Sequence, residues 1–439
     1  MSNPAAANFL SEFDRVAAKL PGGAQIMQHR RTALARFGSV GFPSQRDEAW
    51  KYTNTVALAR RAHVVDLEPQ TFDATRLSAL NLPQWSGYDL VFVDGRFRAD
   101  LSKQISTDGV RVQTFADAMG SRETSVDDLV GFATHNDVPL VSLNAAFITD
   151  GAIIQLDECA EVSEAIRLVF VMTAGKQQAL FPRIFVKARA RSRATIVEHY
   201  VGESAADGFT NTVTEMIVDE GARVQHCRVQ DEAGKASHIG HLIVKQFRAS
   251  EVISHSLSFG ALLARQEINV SLNAPDASIV LNGLYMAEGR QHVDHHTRID
   301  HLQPCTRSEE NYKGIVDGYG RGVFNGKVVV HEDAVKTDAQ QSNRNLLLSA
   351  NAEVDTKPEL EIYADDVKCT HGATVGQLDE DALFYLRARG IDLNTARAML
   401  TCAFASDVID RVEIPHLQSM LTNRVTTRLS AAVGSSSQL

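Results

Sequence analysis

The sequence predicts a mainly β fold: a β-solenoid core flanked by an N-terminal helical and mixed α/β region and a C-terminal helical domain. Three observations carry that reading. A long central stretch reads as many short alternating strands with little helix signal between them. Inside it a small-x-aliphatic step recurs as Ala194-Thr195-Ile196, Ala222-Arg223-Val224, Ser250-Glu251-Val252 and Ala277-Ser278-Ile279, its aliphatics 28, 28 and 27 residues apart. Val335 lies two further such steps beyond Ile279. Helical periodicity returns on either side of this stretch. A fixed period in this range marks stacked supersecondary units, and units made only of strands stack as a solenoid. Coincident turn spacing in a β-sandwich is the competing explanation.

The elements follow in order. Residues 5–37 read as two helices around a Pro21-Gly22-Gly23 breaker, with Phe9, Phe13, Val16 and Leu20 on one helical stripe. Asp89 to Arg98 reads as a hairpin, two apolar runs about an Asp-Gly turn. Thr124 to Phe132 reads as a short helix, so residues 1–150 form the N-terminal region. Residues 151–377 form the solenoid core, with strands expected at Ile196 to Tyr200, Val213 to Val218, Ala222 to Val229, His241 to Phe247 and Ser278 to Met286. From residue 378 to 429 the helical pattern returns. Asp379 is the N-cap of a helix that Gly390 ends, a second helix covers about Asn394 to Ala405, and a third about Val408 to Leu429. Residues 430–439 read as a disordered tail.

Composition narrows the function. At 439 residues the chain needs two or three substructures, and 44% apolar with 22% charged residues is ordinary for a globular protein. A net charge of −10 argues against a nucleic-acid binder. There is no basic n-region followed by an apolar stretch at the N-terminus, and no run approaches the ~20 apolar residues of a membrane span, so a cytoplasmic location is expected. The five cysteines, Cys159, Cys227, Cys305, Cys369 and Cys402, are widely spaced and include no C-x-x-C pair. They are not a disulfide framework, and most read as buried, inert thiols.

Four constellations bear on chemistry. Gly318-Tyr319-Gly320-Arg321-Gly322 with Gly326-Lys327 lacks the Walker spacing, and Val328 stands where a Ser or Thr belongs; turns between strands explain these glycines, so this chain has no ATP site by that motif. His292, His295, His296 and His301 crowd one segment, and His292, Asp294 and His296 share a strand face. A transition-metal site and a polar face hydrogen-bonded across strands both fit that pattern. The carboxylate pairs Asp365-Asp366 and Glu359 with Glu361 fit a solvated strand face better than a glycosidase pair. No G-x-S-x-G elbow supports a hydrolase. Finally, Cys369-Thr370-His371 closes a long strand-like run, and two residues apart on an extended chain means one face. A thiol and an imidazole there suit iron, iron–sulfur chemistry or zinc, and a nearby imidazolium would lower the thiol pKa. Two ligands do not close a site: a partner supplies the rest, or the pair is structural.

The same residues carry a resemblance. From His292 to Phe404 the chain reads HVDHHTRIDH, YKGIVDG, VFNGKVVV, AVKTDAQQ, LLLSANAEVDTKPELEIYADDVKCTHGATVGQLD and LFYLRARGI, and earlier RDEAWKYT and LNAAFITDG. In these long, ordered motifs it resembles the SufB/SufD family of iron–sulfur cluster assembly proteins. SufB-like chains carry a Cys-Glu-His-Glu pattern where this one has Cys369-Thr370-His371-Gly372, the SufD-like form. The resemblance implies a right-handed parallel β-helix between helical domains and a place in a cytoplasmic complex. Its partners there would be SufB, through the β-helix, and the ATPase SufC, through the C-terminal helices; the sequence leaves a homodimer open. A histidine at the position of His371 would meet a SufB cysteine where a nascent Fe–S cluster forms, and Cys369 holds the cysteine position of the same motif. FADH2 is the reductant linked to such complexes, although no flavin motif is found here. The chain would then be a non-catalytic scaffold. A purely structural subunit and a stand-alone β-helix carbohydrate-active enzyme are the alternatives.

Overall fold

The computed structural model describes residues 6–68, 70–103, 107–120, 138–175 and 177–435. The helix expected at Thr124 to Phe132 lies outside them. From Arg183 onward successive strands alternate between two sheets, and every pairing along this stretch is parallel. One sheet runs from the Tyr88–Val93 strand to Lys368–Gly376 and the other from Val110–Thr114 to Glu353–Ile362, making a β-solenoid of about eight turns. Strands from the N-terminal region thus begin both sheets. Tyr88–Val93 lies parallel to Ile166–Met172 and closes its own hairpin with Arg96–Phe97, while Val110–Thr114 runs antiparallel to Gly151–Leu156.

One corner of every turn is built alike. Cys159, Arg191, Gly221, Ala249, Asp276, Cys305, Lys336 and Asp366 all have φ between 51° and 64°. Only Gly221 takes that left-handed conformation freely; Cys159, Arg191, Ala249, Cys305 and Lys336 are held there by backbone bonds to the next corner, such as Arg191 N–H to Glu220 O (2.8 Å) and Lys336 N–H to Asp366 O (2.8 Å). Cys159 and Cys305 are therefore exposed corner residues, and of the five thiols only Cys227 is fully buried. That corrects the expectation of mostly buried cysteines.

The register corrects the repeat as read from sequence. The inward column holding Val224, Val252 and Ile279 starts at Ala194, not Ile196, and continues through Ser308 and Ala339 to Cys369. Ile196 lies opposite His226. Val335 sits in a turn, since the connection between Val330 and Asp338 is longer than its neighbours and breaks the fixed step.

Helices cover the outer faces. Ala7–Val16, Ala24–Val40 and Pro139–Phe147 bury Phe9, Phe13, Phe37 and Phe147 against Phe181 and Phe209 of the first turns. At the other end, Glu380–Arg387 is capped by Asp379, whose carboxylate accepts from the Asp381 (2.9 Å) and Ala382 (3.2 Å) amides. The next helix runs Leu393–Ile409 and the last Pro415–Ser435. The break falls later than the sequence pattern placed it, because Pro415 is tolerated only in a first helical turn and disfavours helix in the residue before it. The last helix also extends into the segment expected to be disordered. Val408, Leu417, Leu421 and Val425 seat on Val229, Leu257 and Leu284 of the first sheet's outer face. No helix among the described residues is long and apolar enough to cross a membrane.

Candidate functional site

The solenoid ends in two edge strands, Glu353–Ile362 in one sheet and Lys368–Gly376 in the other, with no further turn stacked on them among the described residues. Nearly every residue from Lys368 to Gly376 is exposed, and Val375 is 45% accessible. An uncovered last turn presents free backbone donors and acceptors along both edges and opens the interior to whatever adds the next strand.

Cys369 and His371 lie on this last strand, opposite Ala339 and Gln341. Both continue inward-facing columns, so they point into the mouth of the solenoid from one face. Cys369 is half-buried against Val328, Val330, Ala339 and Ala364, whereas His371 is exposed. Burial in that cluster, reinforced by the nearby Asp338 carboxylate, pushes the Cys369 thiol above its ordinary pKa. The expectation that an imidazolium would lower it is overturned: desolvation of the thiolate dominates here. A metal or sulfur species taken up at Cys369 must displace its proton, which makes uptake more favourable at higher pH. Among the described residues no group of three or more His, Cys, Asp or Glu could hold a metal ion. On this chain the mouth presents one thiol and one imidazole from the same strand face.

Below His371 the same column holds Gln341 and then Glu310. Gln341 Nε2 donates to Glu310 Oε2, and Thr297 is the other polar side chain that acts on the carboxyl. Burial with no cation beside it pushes the Glu310 carboxyl up to about 7. This buried acid escaped sequence reasoning. Its signal was there in the glycines of neighbouring inward positions: a Cβ on Gly326 would stand 2.1 Å from Gln341 Nε2, and one on Gly283 2.1 Å from the Tyr312 ring.

The histidine-rich strand His292–His301 divides its side chains between two faces. His295 and His301 point inward. His301 hydrogen-bonds Thr306 (2.8 Å) and Ser308 (2.9 Å), and His295 stacks on Tyr285 with ring centroids 5.4 Å apart. Burial lowers His295 to about 3 and His301 to about 4, so both are neutral. His292, Asp294 and His296 share the outer face, as the alternation predicts, but a segment of the N-terminal region covers them. Thr53 Oγ1 donates to Asp294 and lies 2.8 Å from His292 Nε2. Arg265 donates to the Ala49 carbonyl (2.9 Å), stacks on Trp50 at 3.8 Å, and pairs with Asp294. Burial alone would raise the Asp294 carboxyl, yet Arg265 and His296 hold it far below the usual carboxylate range. Glu48 reaches on to Lys357 of the edge strand (3.0 Å). The run is thus a clamp for the Arg46–Thr53 segment.

The remaining candidates are structural. Gly318 makes a turn at φ 64°, and Lys327 pairs with Glu361 at 2.6 Å. Glu359 pairs with Lys357, and Asp366 is a corner residue.

Two family models match. The core domain of SufBD proteins of the SUF system for FeS cluster assembly covers residues 170–404, and the SufBD N-terminal region covers 7–168. An iron–sulfur cluster assembly SufBD family protein of Synechocystis is 31% identical over 413 residues, 92% of this chain and 91% of that protein. The iron–sulfur cluster assembly protein SufD of Escherichia coli is 31% identical over 408 residues, 92% of each chain. SufD of Bacillus subtilis is 25% identical over 296 residues, 66% of this chain and 67% of that one.

Proposed function

The chain belongs to the SufBD family of iron–sulfur cluster assembly proteins, and from that premise we propose that it is a non-catalytic scaffold subunit of a cytoplasmic Suf complex. In this reading SufB adds to the open last turn, strand against strand, and SufC docks on the C-terminal helices. His371, with Cys369 beside it, meets a thiolate of SufB at that junction and lends its imidazole to a cluster still being built. The cluster is cargo. FADH2 would act on the assembled complex as reductant, and ATP hydrolysis would belong to SufC.

One observation carries the proposal: a thiol and an imidazole stand together at the mouth of an uncapped solenoid, on a strand whose outer edge is unpaired. Two donors invite completion from a second surface, and an exposed strand edge supplies the means of attaching one. Exposed Phe384, Tyr385 and Leu393 on the C-terminal helices support a second docking face.

The test is anaerobic co-purification of this chain with SufB and SufC, measuring bound iron and sulfide for wild type and His371→Ala. An intact mutant complex with little iron and sulfide sustains the interfacial-ligand reading. A normal load in the mutant makes His371 dispensable, and this chain then only supports SufB.

A further inference from the structure

A cavity of about 940 Å³ lies far from the mouth, between the Leu67–Arg76 segment and the first hairpin. That volume is in the range of small-molecule sites. Leu67, Phe72, Val93 and Phe97 give it an apolar floor, Phe72 lying under the Arg76 guanidinium at 4.8 Å, and Lys19, Arg96 and Arg98 stand around it.

Three of those cations are committed. Lys19 pairs with Glu68 at 2.8 Å, Arg76 forks onto Glu203 at 2.9 and 2.8 Å, and Arg98 forks onto Asp100 at 2.8 and 2.6 Å. Arg96 has no ion pair or side-chain hydrogen bond among the described residues. Of the acids of the lining, only Glu68 lies in its field, and Glu68 makes its ion pair with Lys19. Asp73 caps a helical turn through the Arg76 amide (2.9 Å). Asp150 is buried and accepts from the amides of Phe97 (3.0 Å), Ala116 (3.1 Å) and Gly151 (2.9 Å). Glu68 is held by Lys19.

The wall is fixed before any ligand arrives. Thr173 donates to Asp94 at the hairpin turn (2.6 Å), and Thr149 donates to the Gly95 carbonyl (2.9 Å). A site built this way loses little conformational entropy on binding.

We propose that this cavity binds an amphipathic monoanion, its carboxylate forked on Arg96 and its apolar body laid on Phe97. One guanidinium without a direct ion pair matches one carboxylate in bidentate geometry. The apolar floor supplies the remaining affinity through burial of an alkyl or aryl body. The site is independent of the cluster reading, because none of its residues belongs to the last turn.

Isothermal titration of the full chain tests it, with decanoate as the probe and decanol as its uncharged counterpart. The expected result is one equivalent of decanoate bound, weakened at least tenfold by Arg96→Ala, partly restored by Arg96→Lys, and at least tenfold weaker for decanol. Circular dichroism melting of each variant establishes that it is folded. The proposal is overturned if decanoate shows no saturable one-equivalent binding, if Arg96→Ala binds it as wild type does, or if decanol binds equally well.

Discussion

Arg265 and Asp294, on neighbouring strands of one sheet, form an ion pair from which both side chains are wholly excluded from solvent, under a lid made by Trp50. The pair joins two distant parts of the sequence. Asp294 also accepts from Thr53, and Arg265 donates to Ala49.

Breaking that pair from one side leaves a buried charge without its counter-ion. Asp294→Asn is expected to destabilise the protein by roughly 3–5 kcal/mol. Thr53→Val, which removes one hydrogen bond to the same carboxylate, is expected to cost only ~1–2 kcal/mol. Urea denaturation followed by Trp50 fluorescence checks both. Equal effects of the two substitutions would show that Arg265 is not the element that matters.

Glu310 carries its own pH signature. Its carboxyl ionises near 7 in the folded chain against an ordinary 4.5, so between those values the unfolded state has released a proton that the native state keeps. Stability from this group is therefore intact below about 4.5, is lost as pH rises to about 7, and changes no further above that. Glu310→Gln keeps an acceptor for Gln341 and removes the ionisation. The mutant is expected to exceed wild type by ~3 kcal/mol at pH 8 and to match it at pH 4.5. Denaturant titrations at the two pH values decide this, and a constant difference would place the effect in packing.

Much of the fold was legible because strand alternation and turn spacing are local. The hairpin at Asp94-Gly95, the Asp379 cap and the stacked units all follow from residues close in sequence. Register was harder: Ala194 and Ile196 both face inward, so a two-residue slip preserves every pattern that a reader of sequence can see. The pairing of Cys369 with His371 on one face was legible for the same reason of period. What covers a face was not. Thr53 meets Asp294 across 241 positions, and Glu310 lies beneath His371 only because three strands, separated by long connections, stack in one column.

The buried histidines work in the opposite direction to Glu310. Burial holds His295 near 3 and His301 near 4, while the unfolded chain takes up protons near 6.5. Stability from each is fully present above 6.5 and is lost as pH falls toward the folded value, at ~1.4 kcal/mol per pH unit for each group. His295→Phe keeps the stack on Tyr285 and takes one proton out of that balance. Between pH 6.5 and 4.5, the slope of unfolding free energy against pH is expected to fall by about one proton's worth. An unchanged slope would mean that His295 is protonated in the native state.

The last turn makes a prediction that separates folding from assembly. Val375 points into the mouth, is 45% exposed, and has no strand stacked above it among the described residues. Within the isolated chain Val375→Asp leaves its new carboxylate in water, so its unfolding free energy is expected to stay within the small range of surface substitutions, about 0.5 kcal/mol. A second protein surface laid on the mouth would instead bury that charge without a partner, which costs several kcal/mol. Co-purification with SufB is therefore expected to fail for Val375→Asp while the isolated chain melts as wild type, and size-exclusion chromatography of the mixture reads the outcome. Undiminished assembly would locate the SufB contact elsewhere on this chain, because no docked strand can cover the mouth and leave residue 375 in solvent.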